Sequence, residues 1–270
     1  MPSPLSSLTP LISSAAALLD TTLSNVETLH GGALSAVLAA TTEDGRRVVL
    51  KDGPAPIVEA SMLQALADAG APVPKVIGAN AATLVMDYLP DDSTEAGDLG
   101  AVLARLHQMT GPRYGWPNDY AFGSLKIQNT WRDTWPEFWE TNRLRPAMAW
   151  LPEPLADKIE DVCSRLQTLL PNTPVPALLH GDLWRGNILS HSGQVGALID
   201  PAAFYGHHEA DLAMLTLFGG LPARFWDDYG APPPAERLAV YQLWPACVHV
   251  RLFGAGYLPM VERCLKTIGL

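Results

Sequence analysis

The sequence predicts an α+β fold in two parts, a strand-rich first third followed by a helix-rich remainder. Three observations predict it. Short β-prone runs separated by turn residues cluster before residue 90. Apolar residues at helical spacing dominate after residue 99. The turn-rich run Pro90-Asp91-Asp92-Ser93 lies between the two and reads as a linker. The expected division is therefore 1–89 for a small first domain and 90–270 for a larger second one, with a hinge near residues 87–90.

The elements follow in order. Residues 5–20 read as a helix, with Leu8, Leu11, Ala15, Leu18 and Leu19 at helical spacing. Residues 35–39 and 47–51 read as strands paired around Glu43-Asp44-Gly45. Residues 57–69 carry a helical pattern that Gly70 and Pro72 end. Residues 73–80 and 82–88 read as a second strand pair. Residues 99–109 form an amphipathic helix, with Asp98, Arg105 and His107 read as its solvated side. Residues 111–129 read as a loop, and 130–150 and 153–170 as helices. After a dense stretch from 175 to 204, helix resumes at Glu209, broken at Gly219-Gly220 and at Pro232-Pro233-Pro234.

Composition narrows the function classes. A 48% hydrophobic content is enough for a packed core. A net charge of -10 repels nucleic acid and anionic membrane, so neither is an expected partner. Cys163, Cys247 and Cys264 are far apart without CxxC spacing, which argues against a disulfide framework or structural zinc and fits a reducing cytoplasm. The Ser/Ala/Leu-rich stretch before residue 20 lacks a basic leader, so no secretory signal is expected, and no apolar run approaches the ~20 residues that span a bilayer.

The chemistry concentrates in His180-Gly181-Asp182-Leu183-Trp184-Arg185-Gly186-Asn187, followed 13 residues later by Asp200-Pro201. The turn Ser190-His191-Ser192-Gly193 would fold the two apolar flanks into a hairpin and bring Asn187 to Asp200. Amide and carboxylate oxygens suit a hard cation such as Mg2+. A separate carboxylate, Asp182, stands one turn earlier, where it could receive a proton from an acceptor hydroxyl. Upstream, Lys51 ends an apolar strand and could reach nucleotide phosphates, with Glu59 on the next helix to hold it. Gly31-Gly32 reads equally as a phosphate loop or a plain turn. The strand into the linker could stack adenine at Met86 and offer it backbone groups near Asp87 and Leu89, or could be an ordinary buried strand. His207-His208 with Glu209 and Asp211 suggest a transition-metal site, and the i, i+4 spacing of His207 and Asp211 is compatible with one, but no third ligand is evident. Asp211 could cap the helix that starts near it and brace the loop around Asp182.

At these residues the chain resembles the fructosamine kinase (ketosamine-3-kinase) family, which has a two-lobed protein-kinase-like fold. The run Leu179 to Asn187 is similar to the family's HGDLWSGN, and Asp200-Pro201-Ala202-Ala203-Phe204-Tyr205-Gly206-His207 to its DPA-x-YGH. Phe218-Gly219-Gly220 and the aromatic stretch from Asn129 to Trp139 resemble family elements too. The resemblance implies Asp182 as catalytic base, Asn187 and Asp200 as magnesium ligands, and Lys51 with Glu59 as the phosphate-binding pair. It implies Trp184, Phe204, Tyr205 and His207 on the acceptor side. The implied reaction is ATP-dependent phosphorylation of the sugar 3-hydroxyl of a free or protein-bound ketoamine, and the implied role deglycation. Arg185 replaces the family's small Ser; it reads as an anion-binding substrate residue or as a surface arginine. A kinase of another acceptor (an aminoglycoside, choline or a sugar) and an inactive kinase-like binding module are the rival readings. No oligomeric state is implied.

Overall fold

The computed structural model of the chain describes residues 8–29 and 34–270. These form two compact units. The first takes the described residues up to Ala96, together with Tyr120–Lys126 and Gly186–Ala202. The second takes Gly97–Asp119, Ile127–Arg185 and Ala203–Leu270. The division is thus discontinuous, where the sequence suggested one boundary after residue 89.

The first unit opens with helix α1 (Thr9–Leu19), then strands β1 (Leu23–Thr28), β2 (Val37–Thr42) and β3 (Arg47–Lys51). Helix α2 (Pro56–Asp68) and strands β4 (Val76–Ala79) and β5 (Leu84–Asp87) follow. The five strands make one antiparallel sheet in the order β1-β2-β3-β5-β4. Side chains alternate across a strand, and that alternation sorts β3. Val48 and Leu50 pack with Leu38 and Val85 against Leu11 and Ala15 of α1. Val49 and Lys51 take the other face, where Met86 and Leu84 meet Leu63 of α2. Helix α2 has Pro56 in its first turn and ends where Gly70 turns left-handed at φ +78°. Its buried residues Glu59, Met62, Leu63 and Leu66 fall on one stripe. A carboxylate is therefore built into the apolar face of α2.

In the second unit, helix α3 (Leu99–Leu106) buries Leu99, Val102, Leu103 and Leu106. The stretch read as a loop contains a two-stranded hairpin, β6 (Tyr120–Phe122) and β7 (Leu125–Ile127), which turns at Gly123 and, up to Lys126, belongs to the first unit. The helix expected over 130–150 starts only at α4 (Trp135–Trp139) and passes through a π turn, Glu140–Leu144, into α5 (Arg145–Met148). Pro146 explains the irregularity: it has no N–H for the Asn142 carbonyl one turn back. The Arg143 guanidinium donates to that carbonyl instead, at 3.1 Å. Helix α6 (Glu153–Leu169) and strand β8 (Ala177–Leu179) follow.

Next comes the hairpin β9 (Ile188–His191) and β10 (Gln194–Leu198) of the first unit. Its two-residue turn has Ser192 at φ 53° and Gly193 at φ 78°, the positive pair that suits the twist of a tight hairpin. The residues after β5 strap it in place. Ser190 N donates to the Asp91 carboxylate at 2.9 Å, Ser192 N to Asp92 at 2.7 Å, and Gly193 N to Thr94 Oγ1 at 3.0 Å. Leu198 N donates to the Pro72 carbonyl at 2.8 Å. These bonds are why the hairpin belongs to the first unit although the chain reaches it a hundred residues later.

The second unit finishes with β11 (Phe204–Gly206), paired with β8, and then α7 (Glu209–Leu217), α8 (Phe225–Tyr229), α9 (Ala235–Phe253) and α10 (Leu258–Ile268). Its core is aromatic. Trp135, Phe138, Trp139 and Phe204 pack face to face or tilted, and the fully buried Arg143 lies over Phe138, Phe204 and Trp244. Burial pulls the Arg143 guanidinium down to about 9. Among the described residues no helix is long and apolar enough to cross a membrane.

Leu63 is buried between α2 and the sheet. Leu63→Ala should lower stability by about 2–5 kcal/mol; urea denaturation followed by circular dichroism measures it.

Candidate active site

Lys51 stands at the last position of β3, on the sheet face that α2 covers. Its Nζ donates to Glu59 Oε1 at 2.6 Å and to Asp200 Oδ1 at 2.9 Å. Glu59 Oε2 in turn accepts the Tyr120 hydroxyl at 3.0 Å. Lys51 and Glu59 are both buried, whereas the Asp200 side chain is 33% exposed. Burial opposes the Lys51 charge, but the two carboxylates outweigh it and hold its pKa above the ordinary lysine value. The ammonium is thus permanently charged and fixed in direction. Tyr120 is a site residue that the sequence reading missed, because it sits in the unrecognised β6–β7 hairpin.

The β9–β10 hairpin brings Asn187 and Asp200 to the same place. Asn187 ends a short 3-10 turn (Arg185–Asn187) before β9, and Ile199 N donates to its carbonyl at 3.0 Å just past β10. Asp200 then adopts a left-handed φ of 56°, unusual for a residue with a side chain. Lys51, Asn187 and Asp200 line one cavity of about 310 Å³ in the first unit. Val37, Val49, Met86, Leu189 and Ile199 supply apolar wall. Asp87 and Leu89 also line it. Six residues singled out from sequence therefore meet in one cavity, with Glu59 bonded behind Lys51. Gly31 and Gly32 lie outside the described residues. The donor set suits a hard divalent cation: one amide and one carboxylate oxygen, with a cation beside them.

The remaining expected residues lie in the second unit. The Asp182 amide donates to His180 Nδ1 at 3.4 Å. The loop around it is held by Asp211, which accepts the amides of His180 at 2.7 Å and Gly181 at 2.9 Å. Asp211 does brace this loop, but it does not cap α7: it sits inside the first turn, and His208 is the N-cap. His107 bonds Asp211 Oδ2 at 3.2 Å through Nε2 and the Tyr229 hydroxyl at 2.8 Å through Nδ1. Its side chain is 5% exposed, so its reading as solvated was incorrect. Position at the C-terminal end of α3 turns it under α8 rather than outward. Burial works to raise the Asp211 carboxyl; the His107 bond, the His180 ring and the Gly181 amide hold it below the usual carboxylate value.

Trp184 is 38% exposed, and Arg185 is exposed. Tyr205 is half-buried between Trp116 and Trp131, at ring-centre distances of 5.6 and 6.3 Å. Phe204 and His207 are 2% and 6% exposed and belong to the core. The Trp135 indole donates to the Tyr241 hydroxyl, which lies 2.8 Å from His207 Nδ1. Burial first, then His208 and Arg237, push His207 down to about 3. His207, His208 and Glu209 come within 4.8 Å of one another, yet the Glu209 carboxylate is already forked by Arg237.

The model of the fructosamine kinase family matches residues 12–269. The chain belongs to the fructosamine kinase family. A probable ketoamine kinase of Synechocystis is 38% identical over 178 residues, 62% of this chain and 60% of that protein's length. A crystal structure from Thermobifida fusca, described as a candidate fructosamine-3-kinase, is 31% identical, covers 96% of this chain and 98% of its own, and superposes with a TM-score of 0.85. Amicoumacin kinase, 18% identical, covers 96% of this chain and 92% of its own with a TM-score of 0.67, a likeness of fold alone. The fold of this fructosamine kinase family member is protein-kinase-like, as its sequence led one to expect.

His207 is neutral in the fold, with a pKa near 3 against an ordinary 6.5. Between those values the unfolded chain binds a proton that the folded chain refuses, so stability should fall as pH drops from 6.5 toward 3. His207→Gln should flatten that slope; urea midpoints at a series of pH values measure it.

Proposed function

We propose that the chain is an ATP- and magnesium-dependent kinase that phosphorylates the sugar 3-hydroxyl of ketoamines such as fructosamines and ribulosamines. The observation that carries this reading is the single cavity lined by Lys51, Asn187, Asp200 and the Met86–Leu89 stretch. In this reading the first unit is the nucleotide-binding lobe, and the second carries the catalytic loop and the acceptor site. Adenine lies against Val37, Met86 and Ile199 and meets backbone groups near Asp87 and Leu89. Lys51, held by Glu59, neutralises phosphate oxygens without having to be ordered during the reaction. Asn187 and Asp200 would hold Mg2+, which would offset the charge of the phosphate oxygens.

Asp182 is the base. The acceptor oxygen forms the new bond to the γ-phosphorus, the bond to the β,γ-bridging oxygen breaks, ADP leaves, and the acceptor proton passes to the Asp182 carboxylate. The Asp211 bonds to the His180 and Gly181 amides restrict how far that carboxylate can wander. Trp184 and Tyr205 offer faces to the sugar, with Arg185 beside them for an anionic group. The role that follows is deglycation, in the cytoplasm. Three buried unpaired thiols are compatible with a reducing compartment.

Asp182→Ala should lower turnover by about 10²–10⁴-fold while nucleotide binding persists. ADP release with fructosamine and ribulosamine forms of lysine, beside choline and an aminoglycoside, measures it. Turnover of choline or the aminoglycoside alone would replace the ketoamine assignment. Normal turnover by the variant would remove Asp182 from the mechanism.

A further inference from the structure

Trp184 does not stand alone on the surface of the second unit. Its ring meets the edge of Phe218 at 6.3 Å, and Phe218 meets His249 at 4.7 Å. His249 meets Phe253 at 5.3 Å and Tyr257 at 5.1 Å. Trp184, Phe218 and Phe253 are 38%, 40% and 45% exposed, three of the few large apolar side chains the described residues leave open. Three exposed aromatic rings joined through the half-buried His249 and Tyr257 make a contiguous apolar patch, and such patches mark binding surfaces.

The glycines beside the strip supply a second observation. A Cβ placed on Gly219, Gly220 or Gly256 would meet nothing within 4 Å, and none of the three has a left-handed backbone. Neither crowding nor backbone geometry calls for glycine there. Glycine nevertheless carries an entropic cost on folding. These positions keep the space next to Phe218 and Tyr257 clear.

We propose that the strip from Trp184 to Tyr257 is a subsite for the alkyl chain that the ketoamine's amine carries. The inference rests on the ketoamine kinase reading, and it deepens that reading by assigning the non-sugar half of the substrate. Continuity supports it, because the strip begins two residues after Asp182 at a tryptophan assigned to the acceptor side. Chemistry supports it as well, because aromatic rings offer apolar surface on which methylene groups can be buried. His249 fits this role: its Nδ1 lies 2.8 Å from the Pro245 carbonyl, and burial keeps its pKa below the ordinary value, which favours an uncharged ring within the strip.

The test compares two acceptors with the same sugar, 1-amino-1-deoxyfructose and N-hexyl-1-amino-1-deoxyfructose, by ADP release. The wild type should favour the hexyl compound in kcat/KM by roughly tenfold, the order expected of partly buried alkyl surface, since both compounds carry the ammonium. Phe218→Ala and Phe253→Ala should bring that ratio close to one, and Phe253→Tyr should restore it. Both alanine variants change exposed side chains, and their circular dichroism should match the wild type. ADP release with equal kcat/KM for the two acceptors, or a ratio untouched by the alanine variants, overturns the subsite and leaves the kinase reading standing. No ADP release from either acceptor overturns both.

Discussion

A buried ammonium held between two carboxylates organises the first unit. Lys51 comes from a strand, Glu59 from a helix and Asp200 from a hairpin 149 residues away in the chain. Removing one partner of a buried charge pair costs about 3–5 kcal/mol, because the other charge is left without compensation. All three elements are therefore tied to one another by electrostatics as well as by apolar contact. Under the proposed function the arrangement has a purpose: Glu59 is buried behind the lysine, while Asp200 is partly open to the cavity. The triad is closed on its structural side and open on its chemical side.

The fold supplies these groups through ordinary local rules. Alternation along β3 puts Val48 and Leu50 against α1 and leaves Lys51 on the opposite face. The helical stripe of α2 aims Glu59 at the sheet. The tight turn at Ser192-Gly193 closes the hairpin, and the straps from Asp91, Asp92 and Thr94 fix it. In the second unit Asp211 plays a comparable part, gathering the His180 and Gly181 amides and the His107 ring around a single carboxylate. Each unit thus places one buried acid behind the residue assigned to chemistry.

Much of this was legible in the sequence, because it depends on local pattern. The strands 47–51 and 84–87, the helix at 56–68 and the hairpin after Asn187 all followed from alternation, helical spacing and turn residues. Lys51, Glu59, Asn187 and Asp200 could be singled out because their spacing has a chemical purpose. What escaped depends on partners far away in the chain. His107 looked solvated because nothing near it announces Asp211 or Tyr229. Tyr120 lay hidden in a loop rich in Gly and Pro whose two short strands are too brief to show a period. The π turn required knowing that Arg143 would serve the carbonyl that Pro146 cannot. The discontinuous first unit required hydrogen bonds between residues 91–94 and 190–193, which no composition shift signals.

The account stands on Asn187 and Asp200 acting together on a divalent cation beside Lys51. Calorimetric titration of a non-hydrolysable ATP analogue, with and without Mg2+, tests this most directly in the wild type and in Asp200→Asn. The expected result is that Mg2+ tightens nucleotide binding to the wild type by at least about tenfold, an interaction of roughly 1.4 kcal/mol, and has little effect on the variant. An equal response to Mg2+ in both proteins would contradict it.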